Sequence, residues 1–322
     1  MMKSFKTYQL IIFYFFSVSL NSQTIAVLDI APINYDYNNS LKISNYIRKI
    51  VKNDMKVDVM DIGEISRVLN RDNIDNKWCA DEWCSKEIGK LINKNKILTS
   101  SIEKNGKVLN IYGMIYDVEK DTVFKKYSYF FFEEDNYLLT EIQVMIYYLF
   151  DRDLTPDLKI QHEYINLRSE ALLGITEKNI KKNATIRSLL FPGLGHRYLN
   201  KKLHSNIFVA TQSFFISNTL YNYLQYRLTS NFYNDLKNNY NKSDDSAEIQ
   251  ILRKQLNEEY SSLKSYINRR KIFTNLAIGF WIFNIYHTRK NSPTTIQILE
   301  EIDKKFLGNP SIEEIGRRKI DE

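Results

Sequence analysis

Apolar positions along this chain change period several times, and each change marks an element. Thr24–Ile30 is a compact apolar run followed at once by Pro32, the pattern of a buried strand. Leu41, Ile43, Tyr46, Ile47, Ile50 and Val51 then recur at helical spacing, with Ser40 placed as the N-cap. Met55–Asp61 reads as a second strand and Ile62–Asn70 as a short helix. Beyond a loop holding two cysteines, Glu87–Asn93 continues a helix into a strand over Lys96–Glu103. Asn105-Gly106 signals a hairpin, whose second arm is Val108–Val118. After a turn at Glu119–Asp121 the chain returns through Val123–Phe132, and a helix over Asn136–Phe150 closes the set. This order predicts an α/β (or α+β) first domain with a mixed sheet, over residues 23–150.

The pattern then becomes helical. Residues 151–182 read as a linker with a docking helix at His162–Leu173. From 183 to 291 the chain predicts an all-α helical hairpin. Pro192 and Gly193 stop one helix, and Gly195 permits a tight turn against the next. Ser205–Tyr221 is weakly apolar, Tyr223–Tyr240 keeps helical character, and Asn241–Asp245 is a polar break. A long amphipathic helix follows, with Ile249, Leu252, Leu256, Tyr260, Leu263 and Ile267 on one stripe suited to antiparallel pairing. It leads into a second apolar segment, Ile272–Tyr286. Both apolar segments are shorter than the roughly 20 residues of a comfortable membrane span. Residues 292–322 predict one short helix, Thr294–Leu307, and a charged tail.

Charge gives the hairpin its setting. Arg197, Tyr198, Lys201 and Lys202 follow the Pro192, Gly193 and Gly195 turn, and together these seven residues read as the place where the chain enters a membrane. The positive-inside rule would hold the basic stretch 178–202 in the cytoplasm, against an exported first domain, and the second segment is basic at both ends. The same segments could instead lie in the membrane interface. At the N-terminus, Lys3 and Lys6 precede an apolar run, Leu10–Leu20, with small residues at Ser17, Ser19 and Ser22. That is the layout of a secretory signal over residues 1–22.

The net charge of +7 is spread through a composition rich in Lys, Asn, Ile and Tyr, and no aromatic-basic nucleic-acid motif occurs. Only two cysteines exist, Cys79 and Cys84. In an exported chain so close a pair reads first as a structural disulfide, ahead of free thiols, with a metal or redox role a distant third. Its small loop would contribute about 2 kcal/mol.

Nothing in the sequence assembles a catalytic, cofactor or metal site. The four histidines, His162, His196, His204 and His287, have no metal or triad spacing, and His196 and His204 flank the apolar hairpin. Gly193-Leu194-Gly195 lacks the third glycine and the Gly-Lys-Ser/Thr ending of a phosphate loop. Glu133-Glu134-Asp135 and Asp244-Asp245 read as a strand exit and a helix cap.

Two resemblances add to this. The opening AVLDI, the segment VDVMDIGEISRVLN, the stretch CADEWCSKEIGKLINKNKILTSSIEKNGKV and the following LNIYGMIYDVEKDTV resemble the TolB amino-terminal domain and its relatives among curli-channel proteins and penicillin-binding-protein activators. Pro32-Ile33-Asn34 stands where those domains carry a glycine-rich turn. The resemblance implies a periplasmic interaction or assembly module without an enzymatic site. PGLGHRYLNKK, YNYLQYR and INRRK with GFWIFNIYH resemble an uncharacterised two-helix bacterial membrane domain, and the opening is similar to TM2-domain proteins. That implies membrane insertion and no known activity.

The expectation is therefore a non-enzymatic cell-envelope protein of the inner membrane, with a periplasmic first domain and two apolar anchoring helices. Its partners would be membrane lipid and an envelope protein, with no nucleic acid. The alternative is a soluble periplasmic partner-binding protein whose hairpin pairs with a second copy of itself.

Overall fold

A computed structural model describes residues 24–71, 79–134 and 137–315. The expected signal segment, Asp135 and the end of the charged tail lie outside the described residues. The chain forms two compact units, Met1–Leu173 with Leu299–Glu322, and Gly174–Ile298.

The first unit is built on a mixed five-stranded sheet, β1 (Ala26–Val27), β2 (Ala31–Ile33), β3 (Lys96–Asn105), β4 (Val108–Asp117) and β5 (Thr122–Phe132). β1 and β2 both run parallel to β3, and β3, β4 and β5 form an antiparallel meander. The hairpin expected at Asn105-Gly106 joins β3 to β4, and Gly106 takes the left-handed conformation such a turn requires (φ 64°). The opening strand is split. Between β1 and β2, Ser44 accepts the Ile30 amide (2.9 Å), Arg48 pairs with Asp29 (2.6 Å), and its Nε donates to the Val27 carbonyl (3.2 Å). Side chains of the following helix thus take up what a continuous ladder would have used.

That helix, α1 (Tyr37–Asn53), starts earlier than expected: Asp36, not Ser40, is the N-cap, accepting from the Asn39 amide at 2.8 Å. The strand expected at Met55–Asp61 is reduced to a single bridge, Val59 to Ile25. Two helices follow, α2 (Ile62–Arg71) and α3 (Glu82–Leu91), the latter capped by Asp81 on the Cys84 amide (2.7 Å). Cys79, in the loop before it, is joined by a disulfide to Cys84 in its first turn, with Cα atoms 5.6 Å apart.

Helix α4 (Tyr137–Leu149) lies on the sheet, and Gly113 of β4 admits it: a Cβ there would sit 2.6 Å from the Met145 sulfur. Helix α5 (Pro156–Leu172) covers β5. Ser169 Oγ accepts the Phe132 amide (3.1 Å), Tyr129 Oη donates to Asn166 (3.0 Å), and Ile165 is fully buried. So the stretch read as a linker carries a helix of the first unit. The C-terminal residues also return to this unit. The Gln161 amide donates to the Ser311 carbonyl (2.7 Å), and Ile315 of α11 (Pro310–Ile315) joins the main core.

The second unit holds α6 (Ile175–Leu190), the short α7 (Leu194–Tyr198), and a long antiparallel pair, α8 (Lys202–Lys242) and α9 (Ser246–Lys290). Asp245 caps α9 through the Ala247 amide (2.9 Å). Helix α10 (Thr295–Phe306) runs across the division between the units. The expected hairpin is present; among the described residues no helix is long and apolar enough to cross a membrane. Polar residues such as Gln212, Asn222 and Asn284 dilute the apolar segments below that level.

Candidate functional site

The residues expected where the chain enters a membrane are organised around the break between α6 and α7. Pro192 and Gly193 are buried, and Gly193 turns the chain with φ 89°. A Cβ on Gly193 would meet the Ser205 carbonyl at 2.7 Å; one on Gly195 would meet the Ala184 carbonyl at 2.4 Å and Thr288 at 2.7 Å. The two glycines are therefore where α6, α8 and α9 approach the turn most closely. A largely buried polar network fixes it. The Gly193 amide donates to Asn284 Oδ1 (3.2 Å), Ser188 Oγ and Thr288 Oγ1 are 2.7 Å apart, and the Trp281 indole donates to the Ser188 carbonyl (3.1 Å).

Three of the four histidines meet beside this network, which no local spacing could reveal because they come from α7, α8 and α9. His196 lies flat on Phe208 (ring centroids 4.8 Å), and its Nε2 is 3.2 Å from His287 Nδ1. His204 lies 5.7 Å and 5.5 Å, centroid to centroid, from those two rings. Burial, then the neighbouring His287, His204 and Lys201, holds His196 down to about 4. The rings of His204 and His287 are stacked, and the ring of His196 is tilted against both. Among the described residues no set of three or more His, Cys, Asp or Glu is placed to hold a metal.

The cationic residues flank the turn. Arg187 stacks over Tyr198 (4.4 Å), Lys201 donates to the Asn291 carbonyl (2.7 Å), and Arg197 and Lys202 are exposed. At the other end of the apolar segments, Arg270 lies 5.8 Å from the rings of both Tyr223 and Tyr226. Between these two basic and aromatic ends the unit has polar groups inside and apolar groups outside. Gln212, Asn222, Asn284 and Thr288 are all buried, whereas Ile207, Phe214, Leu220, Ile278, Ile282 and Phe283 are about half exposed or more. Ser213, Ser217 and Asn275 are exposed exceptions.

The first unit carries a buried pair that the sequence reading missed. Glu141 is fully buried on α4, and His162 of α5 places Nδ1 2.9 Å from both its carboxylate oxygens. Burial raises Glu141, and His162 opposes it. Burial pulls His162 down, but the bond to Glu141 and its charge outweigh that and raise it. The pair joins two helices and meets no nucleophile. Glu133 is taken by Lys104, and Glu134 by Arg168, which also binds Asp303. Trp83, Phe124 and Phe130 are the most exposed aromatic groups among the described residues of this unit.

No family model matches the chain, and no curated protein matches it. Among solved structures it is similar to the C-terminal domain of LpoB from Salmonella enterica, at 10% identity over 39% of this chain and 94% of that one, with a TM-score of 0.30. It is also similar to the lipoprotein GNA1162 from Neisseria meningitidis, at 10% identity over 41% and 99%, with a TM-score of 0.32. PelC from Paraburkholderia phytofirmans, solved as a dodecamer, matches at 13% identity over 42% and 92%, with a TM-score of 0.27. Likeness of this degree carries none of their activities over to this chain.

Proposed function

We propose that this chain is a non-enzymatic protein of the cell envelope, anchored in the inner membrane by its helical unit, with the α/β unit in the periplasm as an interaction module. The observation that carries the anchor is the placement of polar and apolar groups in the helical unit. In water, half-exposed Ile, Leu and Phe along two helices are unfavourable; in lipid they face a solvent they match, and Asn284, Thr288 and Trp281 tie α9 to α6 and its turn through hydrogen bonds. The spacing of the two basic and aromatic ends is in line with this. Arg270 and Arg289 are 19 residues apart on α9, about 28 Å at 1.5 Å per residue, close to the roughly 30 Å of a hydrocarbon core. The low mean hydropathy has a physical source, because much of the polarity that lowers it points at the partner helix. The partner-binding reading of the α/β unit draws on the resemblance of its sequence to exported assembly modules.

Membrane fractionation with a carbonate wash tests the anchor, combined with protease access to tags after Phe150 and Ser243. Retention, with the first tag cut in spheroplasts and the second protected, is the expected result. Release into the soluble fraction would overturn it and leave a periplasmic partner-binding protein whose hairpin pairs with a second copy.

A further inference from the structure

A groove of about 460 Å³ runs between α8 and α9. It is lined by Gln212, Ile216 and Tyr223 on α8 and by Trp281, Ile278 and Arg270 on α9. Because the helices are antiparallel, Tyr223 and Arg270 share one end, while Gln212 and Trp281 share the other. From Gln212 to Tyr223 the groove extends about 16 Å along the helix. One leaflet of a hydrocarbon core is about 15 Å deep, so the groove has the length of a single acyl chain. Its walls are apolar along that length and its outer end is cationic. Among the described residues, Arg227, Arg269, Arg270 and Lys271 are in no ion pair. The Arg270 guanidinium is held by two tyrosine rings instead.

We infer that this groove binds one anionic phospholipid, its acyl chain lying along Ile216 and Ile278 and its phosphate on Arg270. This rests on the membrane anchor proposed above. An apolar slot ending in an unpaired arginine at head-group depth is complementary to an anionic amphiphile. A second copy of the chain would need an acidic group to meet the Arg269–Lys271 cluster, and α8 offers none between Lys202 and Tyr226.

Trp281 reports on the groove directly. The full chain carrying Trp78→Phe and Trp83→Phe, which leaves Trp281 as its one tryptophan, is reconstituted into vesicles. These contain phosphatidylglycerol or phosphatidylcholine brominated on the acyl chains. Brominated phosphatidylglycerol should quench Trp281 at about fivefold lower mole fraction than the zwitterionic lipid, the factor expected from one arginine at the surface. Arg270→Gln should erase that preference, and Ala277→Phe, which fills the groove, should weaken quenching by both lipids. Vesicle flotation of the same samples separates the two readings. Protein that floats but shows equal quenching by both lipids, or no response to Ala277→Phe, overturns the lipid site and leaves the anchor standing. So does floating protein whose Trp281 no lipid quenches but which cross-links to a second copy through the groove. Protein that does not float overturns both.

Discussion

The two units differ in the balance of what they bury. In the α/β unit the buried apolar side chains gather into one main cluster under α1 and α4 and a second under α2 and α3, with a minority of polar groups such as Thr99, Glu141 and Gln161 buried beside them. The helical unit between its basic ends buries Ser188, Gln212, Asn222, Asn284 and Thr288 together with Phe208, and leaves most of its Ile, Leu and Phe exposed. A sheet domain in water is held by removing apolar area from solvent, at about 25 cal/mol per Å². Helices whose surroundings are already apolar gain little that way, and close packing with inter-helix hydrogen bonds takes over. On the proposed membrane anchor, two regions of one chain are stabilised by different terms.

The largest effect should come from the close approach at the turn. Gly195→Val places methyl groups where the Ala184 carbonyl would lie 2.4 Å from the new Cβ. Main chain cannot yield as a side-chain end can, so the loss should exceed about 4 kcal/mol. Limited proteolysis should show α6, α8 and α9 cut while the sheet unit stays intact. Equal loss of both units would break the comparison, since it would mean that one cooperative core serves the whole chain. The matching change in the other unit is Phe131→Ala, which removes a fully buried ring on β5 at about 3–5 kcal/mol. Hydrogen exchange should quicken across β3–β5 and leave α8 and α9 unchanged.

These two sites also show what a sequence can and cannot disclose. The meander was legible because Asn105-Gly106 and the Glu119–Asp121 turn punctuate runs of β-forming residues. Gly193 in the turn before α7 and Gly195 within that helix stood out because glycine is scarce. The opening strand was misread as continuous, because its break depends on Ser44 and Arg48, a helix away. Met55–Asp61 has strand composition, yet it meets the sheet only through Val59. The histidine trio and the Glu141–His162 pair were invisible for the same reason: their members are neighbours only after three helices, or two, have packed. Spacing along a chain reports local structure; convergence is a tertiary fact.

A smaller but sharper test turns on solvent. Ile282 is exposed on α9, within the apolar band. On a water-soluble surface Ile282→Arg should change stability by no more than about 0.5 kcal/mol. In the middle of a bilayer it should cost about 2.5–3.5 kcal/mol. The variant should therefore lose carbonate-resistant membrane retention while the α/β unit keeps its protease resistance. Unchanged retention would remove the distinction drawn between the two units.

The smallest effect is the response to pH, and here the units should move in opposite directions. His162 has a raised pKa because Glu141 holds its charged form, so its contribution is complete below its ordinary value of 6.5 and fades as pH climbs through the raised value. Glu141, raised by burial, acts in the same sense: above the ordinary 4.5 the unfolded state ionises first, and stability falls with rising pH. His196 is the reverse. Its ordinary value of 6.5 is pushed down to about 4, so between those limits the unfolded chain binds the proton more readily than the folded one. The junction around α7 should weaken as pH falls from 6.5 toward 4. Hydrogen exchange at pH 7.5 and 5 on the intact chain would separate the two responses. Protection of α4 and α5 should rise on acidification while that of the α7–α8 junction falls, and His196→Phe, which keeps the stack on Phe208, should flatten only the second trend. If both regions weaken together on acidification, the Glu141–His162 pair is not charged in the folded state, and the contrast between the two histidine environments fails.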